Sequence, residues 1–512
     1  MRIGIDVGGT NTDAVLMDGR QVIASTKQVT SSDVTGGVLK ALDAVLQESR
    51  TGSQDVDSVM IGTTHFTNAV VQRQGLDRTG VVRLGYPATL SIPPLEDWPD
   101  DLRGAIGGVG HIAHGGHQFD GREISPIDEN ELRRIADELG SGGVTSVVIS
   151  GVFSPAVQDH ETRAADLVQS LMPQAAITRS HQIGRLGLLE RENAAAMNAC
   201  LASMASRTIA AFEAALEQQG ITAPLYLSQN DGTLMTAAFT KQYPVLTFAS
   251  GPTNSMRGAA TLSDVSTGIV IDIGGTTTDG GVLVNGFPRE ASFEVEIGGV
   301  RTNFRMPDVI SIGLGGGSYV SDDGTRVGPQ SSGYRLTTEA KLFGGEHLTA
   351  SDVAVAAGRA TFGDPTRVGR LGEGLVRQAC KTIDERVEEL VDSLKTSPED
   401  LPLIVVGGGS ILVGEAIQGA SRVIRPEHAG VANAIGAAIA QVSGEVDRIF
   451  SLEDRTRDSA LGEARDAAIK AAVSAGADSE TVEIVEIDEI PLAYLPSNAL
   501  RIRIKAVGDL KG

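Results

Sequence analysis

Ile5-Asp6-Val7-Gly8-Gly9-Thr10-Asn11-Thr12-Asp13 stands near the start of the chain. Ile271-Asp272-Ile273-Gly274-Gly275-Thr276-Thr277-Thr278-Asp279 repeats it 266 positions later, with seven of nine residues unchanged. Each copy reads as an apolar strand, a glycine turn and a second strand, continued by Ala14-Val15-Leu16 and by Val282-Leu283-Val284. The repeat predicts two similar domains, each opening on the same hairpin. Paired glycines let a backbone approach a ligand closely, and successive N–H groups in such a turn form an anion-binding concavity. Gly8, Gly9, Thr10, Asn11 and Thr12 of one copy, and Gly274, Gly275, Thr276, Thr277 and Thr278 of the other, are therefore expected to face one polyphosphate. An aspartate at a strand end repels phosphate directly but holds Mg²⁺ or its waters, because Mg²⁺ takes oxygen ligands. Asp6, Asp13, Asp272 and Asp279 are thus the candidate catalytic carboxylates, with Asp6, Asp272 and Asp279 as candidate Mg²⁺ ligands. Two ordinary tight hairpins would account for one copy. Packing alone does not demand the same polar residues twice.

Around these hairpins the chain has 512 residues, enough for at least two domains with large cores. A hydrophobic content of 41% with 21% charged residues fits a soluble globular protein. The formal charge of −22 argues against a nucleic-acid partner and against an anionic membrane surface. A phosphate site must then be built locally from backbone amides and metal. Two cysteines, Cys200 and Cys380, allow no disulfide framework and no CxxC site, so a cytoplasmic location is expected. Met1 runs straight into the first strand, so no signal peptide is expected. The most apolar late stretch, 429–442, is too short and too polar to span a bilayer.

Residues 1–195 are expected to form a first domain interrupted by a Gly- and Pro-rich irregular insertion at about 85–128, which holds three of the eight histidines. The segment 185–219 reads as one long helix stopped by Gly220, and the hinge between domains is placed there. Residues 196–450 form the expected second domain. It includes a helix over 376–396, a buried strand Leu403-Ile404-Val405-Val406 ending in Gly407-Gly408-Gly409-Ser410, and a small-residue helix over 429–442. Residues 451–512 are expected as a small appended α/β unit.

Two phosphate-type hairpins, a late strand with a glycine run, then a small-residue helix: this order resembles the actin, Hsp70 and sugar-kinase superfamily. The resemblance implies an α/β fold of two RNase-H-like domains around an ATP cleft, with Gly407, Gly408, Gly409 and Ser410 as the adenosine loop. Further phrases narrow it. They are Gly62-Thr63-Thr64-His65-Phe66-Thr67-Asn68-Ala69, Gly187-Leu188-Leu189-Glu190-Arg191-Glu192-Asn193, Ser228-Gln229-Asn230-Asp231-Gly232, Ser250-Gly251-Pro252 and 311–318. All are similar to segments of the hydantoinase/oxoprolinase A-type family, and they run from residue 1 to about 440. The family resemblance implies ATP- and Mg²⁺-dependent activation of an amide, lactam or ketone oxygen. It also implies a cyclic-amide substrate and work within a homo- or hetero-oligomer, including a B-type second subunit. Where family members often show Ser-Gly-Pro-Ala-Gly-Gly, this chain has Thr253-Asn254-Ser255 after the proline, which sets polar side chains beside the expected cleft and bears on substrate choice.

A lactam is a poor electrophile because resonance strengthens its C–N bond. Phosphorylating its oxygen makes an imidate-like carbon that water attacks, and such an enzyme supplies mainly positioning and charge neutralisation. Asp13 is the candidate for orienting the nucleophile. Thr63, Thr64, Thr67 and Asn68 either line the cleft as substrate contacts or cap a helix. Gly315, Gly316 and Gly317 form either a substrate loop or a plain glycine turn. His111, His114 and His117 are spaced by three, and three imidazoles with a carboxylate suit a second divalent metal. The glycines at 107, 108, 110, 115 and 116 argue against a helix that would align them, which leaves a substrate loop or solvated histidines as the other readings. No Walker A, Gly-x-Ser-x-Gly or His-Glu-x-x-His phrase occurs. Two other functions stay open: an ATP-driven module that remodels a partner protein, and a small-molecule kinase.

Overall fold

The computed structural model describes residues 1–511 apart from 9–10, 30–33, 292–293, 454 and 494–497. Its centre is a pair of sheets with the same four-strand arrangement. In the first, Asn11–Asp18 pairs antiparallel with Arg2–Val7, followed by Ser58–Thr63 and Leu225–Ser228 in parallel. In the second, Thr278–Val284 pairs antiparallel with Gly268–Ile273, followed by Leu401–Val406 and Ala420–Ile424 in parallel. The expected two-domain α/β architecture of the actin type is present, and each hairpin occupies the same place in its four-strand arrangement. Strands buried on both faces read as continuous apolar runs, which is why 2–7, 58–63 and 401–406 were recognisable from composition.

The helices follow their apolar spacing. Glu373–Leu394 buries Ile383, Val387, Leu390, Val391 and Leu394 against the second sheet. The 185–219 segment is not one helix. It breaks into Leu188–Ala199 and Ala202–Gln218, bent by 47°. Asp77 from a distant loop causes the break. Its amide donates to the Cys200 carbonyl at 2.7 Å and its carboxylate accepts the Ser203 amide at 2.7 Å, so both freed backbone groups are satisfied. Among the described residues no single helix is long and apolar enough to cross a membrane.

The partition of the chain differs from the sequence expectation in two places. Residues 85–128 are not an isolated irregular insertion. Val109–His114 hydrogen-bonds to Thr79–Tyr86 in a separate four-stranded parallel sheet completed by Ser146–Gly151 and Ala176–Arg179. The tail is not an appended unit either: Glu483–Pro491 and Leu500–Gly508 join Val442–Phe450 and extend the first sheet to nine strands. Strand pairing is non-local, and linear composition does not reveal it.

The two halves meet where Ser250–Ser263 crosses Ala432–Ile439. Backbone lies against backbone here. A Cβ on Gly436 would fall 1.8 Å from the Asn254 carbonyl oxygen, and one on Gly258 would fall 1.9 Å from that of Ala432. Gly436→Ala is expected to lower stability by about 1–3 kcal/mol in urea unfolding, because main chain cannot yield as a side chain can.

Candidate active site

The antiparallel register of each hairpin sets its two aspartates directly opposite one another. Asp6 faces Asp13 in the first, and Asp272 faces Asp279 in the second. Like charges opposite on a sheet repel, yet the arrangement occurs twice. All four carboxylates line one cleft of about 280 Å³, together with Gly8, Asn11, Gly274, Gly275, Thr276 and Thr277 of the turns and Gly407 and Gly408 of the late glycine run. The turns match in detail: the Gly8 amide donates to the Asn11 carbonyl at 3.0 Å, and the Gly274 amide to that of Thr277 at 2.9 Å. Gly9 and Thr10 lie outside the described residues.

Burial and mutual repulsion shape the electrostatics. Asp6 is pushed up to about 7, first by desolvation and then by the charges of Asp13 and Asp272. Asp272 is pushed up to about 6 by desolvation, against the hydroxyl of Ser255 that donates to it. Desolvation also raises Asp13 and Asp279. Asp6 Oδ1 and Asp13 Oδ1 are buried and accept no hydrogen bond among the described residues. Buried anionic oxygens without donors are what a divalent cation satisfies, so the donor set fits Mg²⁺. The partly compensating groups are Lys27 Nζ on Asp13 at 2.7 Å, Asn433 Nδ2 on Asp6 at 2.9 Å and the Ser311 hydroxyl on Asp279.

These shifts have a stability consequence. An unfolded aspartate titrates near 3.8, whereas Asp6 titrates at about 7 in the fold. Between those values the folded chain holds protons that the unfolded chain has released, so stability rises as pH falls. In EDTA, the melting temperature is expected to be higher at pH 5.5 than at pH 8. An equal or lower value would contradict the raised carboxylates.

Other sequence candidates fall elsewhere. Thr64 lines the cleft; Thr63, Thr67 and Asn68 do not. They serve the local turn: Thr63 Oγ1 accepts the His65 amide at 3.1 Å, and Asn68 Nδ2 donates to Thr64 Oγ1 at 3.3 Å. Thr12 and Thr278 are fully buried, and Thr278 donates to the Leu314 carbonyl. Gly315, Gly316 and Gly317 are not a substrate loop. They lie behind the second turn, where the Gly316 and Gly317 amides donate to the carbonyls of Gly274 and Gly275 at 3.0 and 2.7 Å. A Cβ on Gly315 would meet the Thr276 amide nitrogen at 2.5 Å, so glycine there permits backbone contact. Gly409 and Ser410 start the next turn, with the Gly409 amide on the Ile273 carbonyl.

His111, His114 and His117 do not converge. His111 is nearest Glu138 at 3.9 Å, His114 bonds Glu131 at 2.9 Å, and His117 approaches Asp159 at 3.3 Å. Their strand directs His111 and His114 to two separate glutamates of Glu129–Ser141, and the following glycine turn carries His117 to Asp159–Leu171. His117 instead stacks against His160 beside Asp159. The Gly116 amide donates to His160 Nδ1 at 3.1 Å, so the ring proton sits on Nε2, directed at Glu123 Oε1 at 3.1 Å. A nitrogen that keeps its proton is not a metal ligand. Sequence reading missed Lys27, Ser255 and Ser311. For Ser255 the departure Thr253-Asn254-Ser255 was the available signal; Lys27 reaches the cleft only through strand pairing.

The relation to known proteins follows this geometry. Residues 2–172 match the profile described as the hydantoinase/oxoprolinase N-terminal region, and residues 191–366 match that of the hydantoinase/oxoprolinase proper. The chain belongs to the hydantoinase/oxoprolinase family. Within that family it is 28% identical over 388 residues to the caprolactamase subunit alpha of Pseudomonas jessenii, covering 70% of this chain and 54% of the relative. It is 27% identical to the acetophenone carboxylase gamma subunit of Aromatoleum aromaticum, covering 70% and 53%. The chain therefore spans about half the length of these curated relatives. The solved ATP-dependent caprolactamase from Pseudomonas jessenii superposes with a TM-score of 0.79 at 21% identity, over 100% of this chain and 88% of that one. Nucleotide-free acetone carboxylase gives 0.69 at 17% identity, also over 100% and 88%. These likenesses extend the fold assignment to the whole chain.

The family phrase Arg191-Glu192-Asn193 has a structural role. Arg191 Nη2 donates to the Gly151 carbonyl at 2.6 Å and Nε to Ser180 Oγ at 2.9 Å. Asn193 bridges Trp98 Nε1, the Asp97 carboxylate and the Arg301 carbonyl. The phrase ties the four-stranded sheet to the hinge helix and does not enter the cleft.

Proposed function

We propose that the chain binds MgATP between its two hairpins and uses it to activate the carbonyl oxygen of a cyclic amide for ring opening. One observation carries this reading: four mutually repelling aspartates face two glycine turns across one cleft, Asp6 and Asp13 buried and each with an oxygen that accepts nothing among the described residues, Asp272 and Asp279 half-buried. Asp6, Asp272 and Asp279 would hold Mg²⁺, which supplies neutralisation of phosphate charge when bound. The amides of the second turn at Gly275, Thr276 and Thr277 would receive phosphate oxygens, and Lys27 adds a cation beside Asp13. Gly407 and Gly408 leave room for the adenosine because they carry no side chain. Asp13 orients the attacking oxygen.

In the reaction the lactam oxygen attacks the γ-phosphorus and ADP leaves. Water then adds to the activated carbon, the ring C–N bond breaks, and the nitrogen takes a proton. A second water releases phosphate. Lactam, ATP and two waters thus give an amino acid, ADP and phosphate. The relatives named as subunits support a second subunit for this chain, and the family resemblance implies the hydantoinase B type for it.

The test is phosphate release from MgATP by the purified chain, with hydantoins, 5-oxoproline and larger lactams added in turn. Ring-opened product forming in step with phosphate is the expected result. Stimulation by a protein partner without ring opening would favour a conformational ATPase, and a stable phosphorylated small molecule would favour a kinase.

A further inference from the structure

A second cavity, of about 800 Å³, shares no lining residue with the cleft. Its size is that of a small-molecule site. It lies beside the 180–186 loop, against the middle of the nine-stranded sheet. One wall is apolar, with Phe239, Tyr243 and Leu246. Two polar groups on the loop stand out, because each has unused bonding capacity.

The first is Arg185. Among the described residues its Nε is buried and donates to nothing, and its nearest carboxylate, Glu290, is 3.6 Å away. Glu290 is already engaged by Arg305 and, at 2.6 Å, by Arg503. The other cations lining the cavity are committed: Arg501 is held by Asp447 through two bonds, Arg305 by Glu290, Glu445 and Glu486, and Arg448 faces Glu463 at 3.7 Å. Arg185 is thus a planar fork of donors at a cavity wall, short of an anion. The second is His181. Its Nδ1 lies on the fully buried Glu161, which also accepts from Ser180 Oγ at 2.6 Å and the Gly151 amide at 3.0 Å. A carboxylate so placed keeps the imidazole proton on Nδ1. That leaves Nε2, which has no partner among the described residues, as an acceptor at the wall.

We propose that this cavity binds an N-acyl amino acid or a close analogue. Its carboxylate pairs with Arg185, its amide N–H donates to His181 Nε2, and its apolar side chain rests on Phe239, Tyr243 and Leu246. Neither the cleft carboxylates nor ATP turnover is needed for this binding. The site therefore stands or falls separately from the reaction proposed above.

The test is calorimetric titration of the full chain, without nucleotide, using three probes. N-acetylphenylalanine carries all three features, N-acetylphenylalanine amide lacks the carboxylate, and 3-phenylpropionate lacks the N–H. Saturable binding of N-acetylphenylalanine at one site per chain is expected, with the other two probes at least about tenfold weaker. Arg185→Gln should weaken N-acetylphenylalanine at least about tenfold, and His181→Phe should abolish its advantage over 3-phenylpropionate. Asp6→Asn should leave all three affinities unchanged. No saturable binding, or equal affinity for the acid and its amide in the unaltered chain, would overturn the proposal even if a variant failed to fold.

Discussion

Asp6→Asn should cost at least about 100-fold in ATP turnover and, in the same protein, raise metal-free stability. The two effects come from one physical fact. Asp6 is buried opposite Asp13 and near Asp272, and ionising it there is costly enough to push it up to about 7. The asparagine is nearly isosteric and still meets Asn433, but it is neutral. At pH 8 it removes an ionisation cost, desolvation first and repulsion second, on the order of 4 kcal/mol. It also removes the charge that would draw a divalent ion to two donor-free oxygens. Phosphate release under saturating MgATP measures the loss, and urea unfolding in EDTA measures the gain. Unchanged turnover would exclude the cleft as the nucleotide site. Lost turnover with unchanged or lower stability would mean that the carboxylate is compensated in the resting protein and is not strained by its neighbours.

Glu192→Gln is expected to destabilise the chain by about 3–5 kcal/mol, the largest effect foreseen outside the cleft. Arg83 and Glu192 are each about 1% exposed and pair through two bonds, at 2.8 Å and 2.5 Å. Arg83 stands on the central strand of the four-stranded sheet, and Glu192 on the hinge helix. Glutamine keeps one acceptor oxygen but turns an N–H toward the other guanidinium N–H and leaves the buried cation without its anion, beside the Ile92 carbonyl. Urea unfolding reads the cost, and replacing both residues by Met and Leu should recover much of it, since an apolar pair of similar volume strands no charge. A loss below about 1 kcal/mol would show that water reaches the pair.

The hairpins were legible because the same polar residues occur twice in a context where packing does not ask for them. The strand register turned that legibility into geometry: aspartates at the ends of paired strands must face one another. The helix break at Cys200–Leu201 was not legible, since nothing local marks it; Asp77 imposes it from more than a hundred residues away. The histidine spacing misled because a period of three has meaning only on one continuous helix, whereas His114 ends a strand and a glycine turn separates it from His117. The Gly315–Gly317 phrase likewise looked like a ligand loop. Its glycines serve a backbone-to-backbone contact that leaves the same trace in a sequence.

By itself, the sequence determined the repeated phosphate-type hairpins, the α/β class, the family and the four aspartates. Each is written in local residue choice: apolar runs for strands, glycines for turns, and carboxylates where strands end. The tertiary structure decided which groups share a space. It brought Lys27 and Asn433 to the cleft, moved the last two strands into the first sheet, and separated His111, His114 and His117 onto three different partners. These outcomes depend on strand order and helix crossing, which arise from burial summed over the whole chain and leave no mark at any one position.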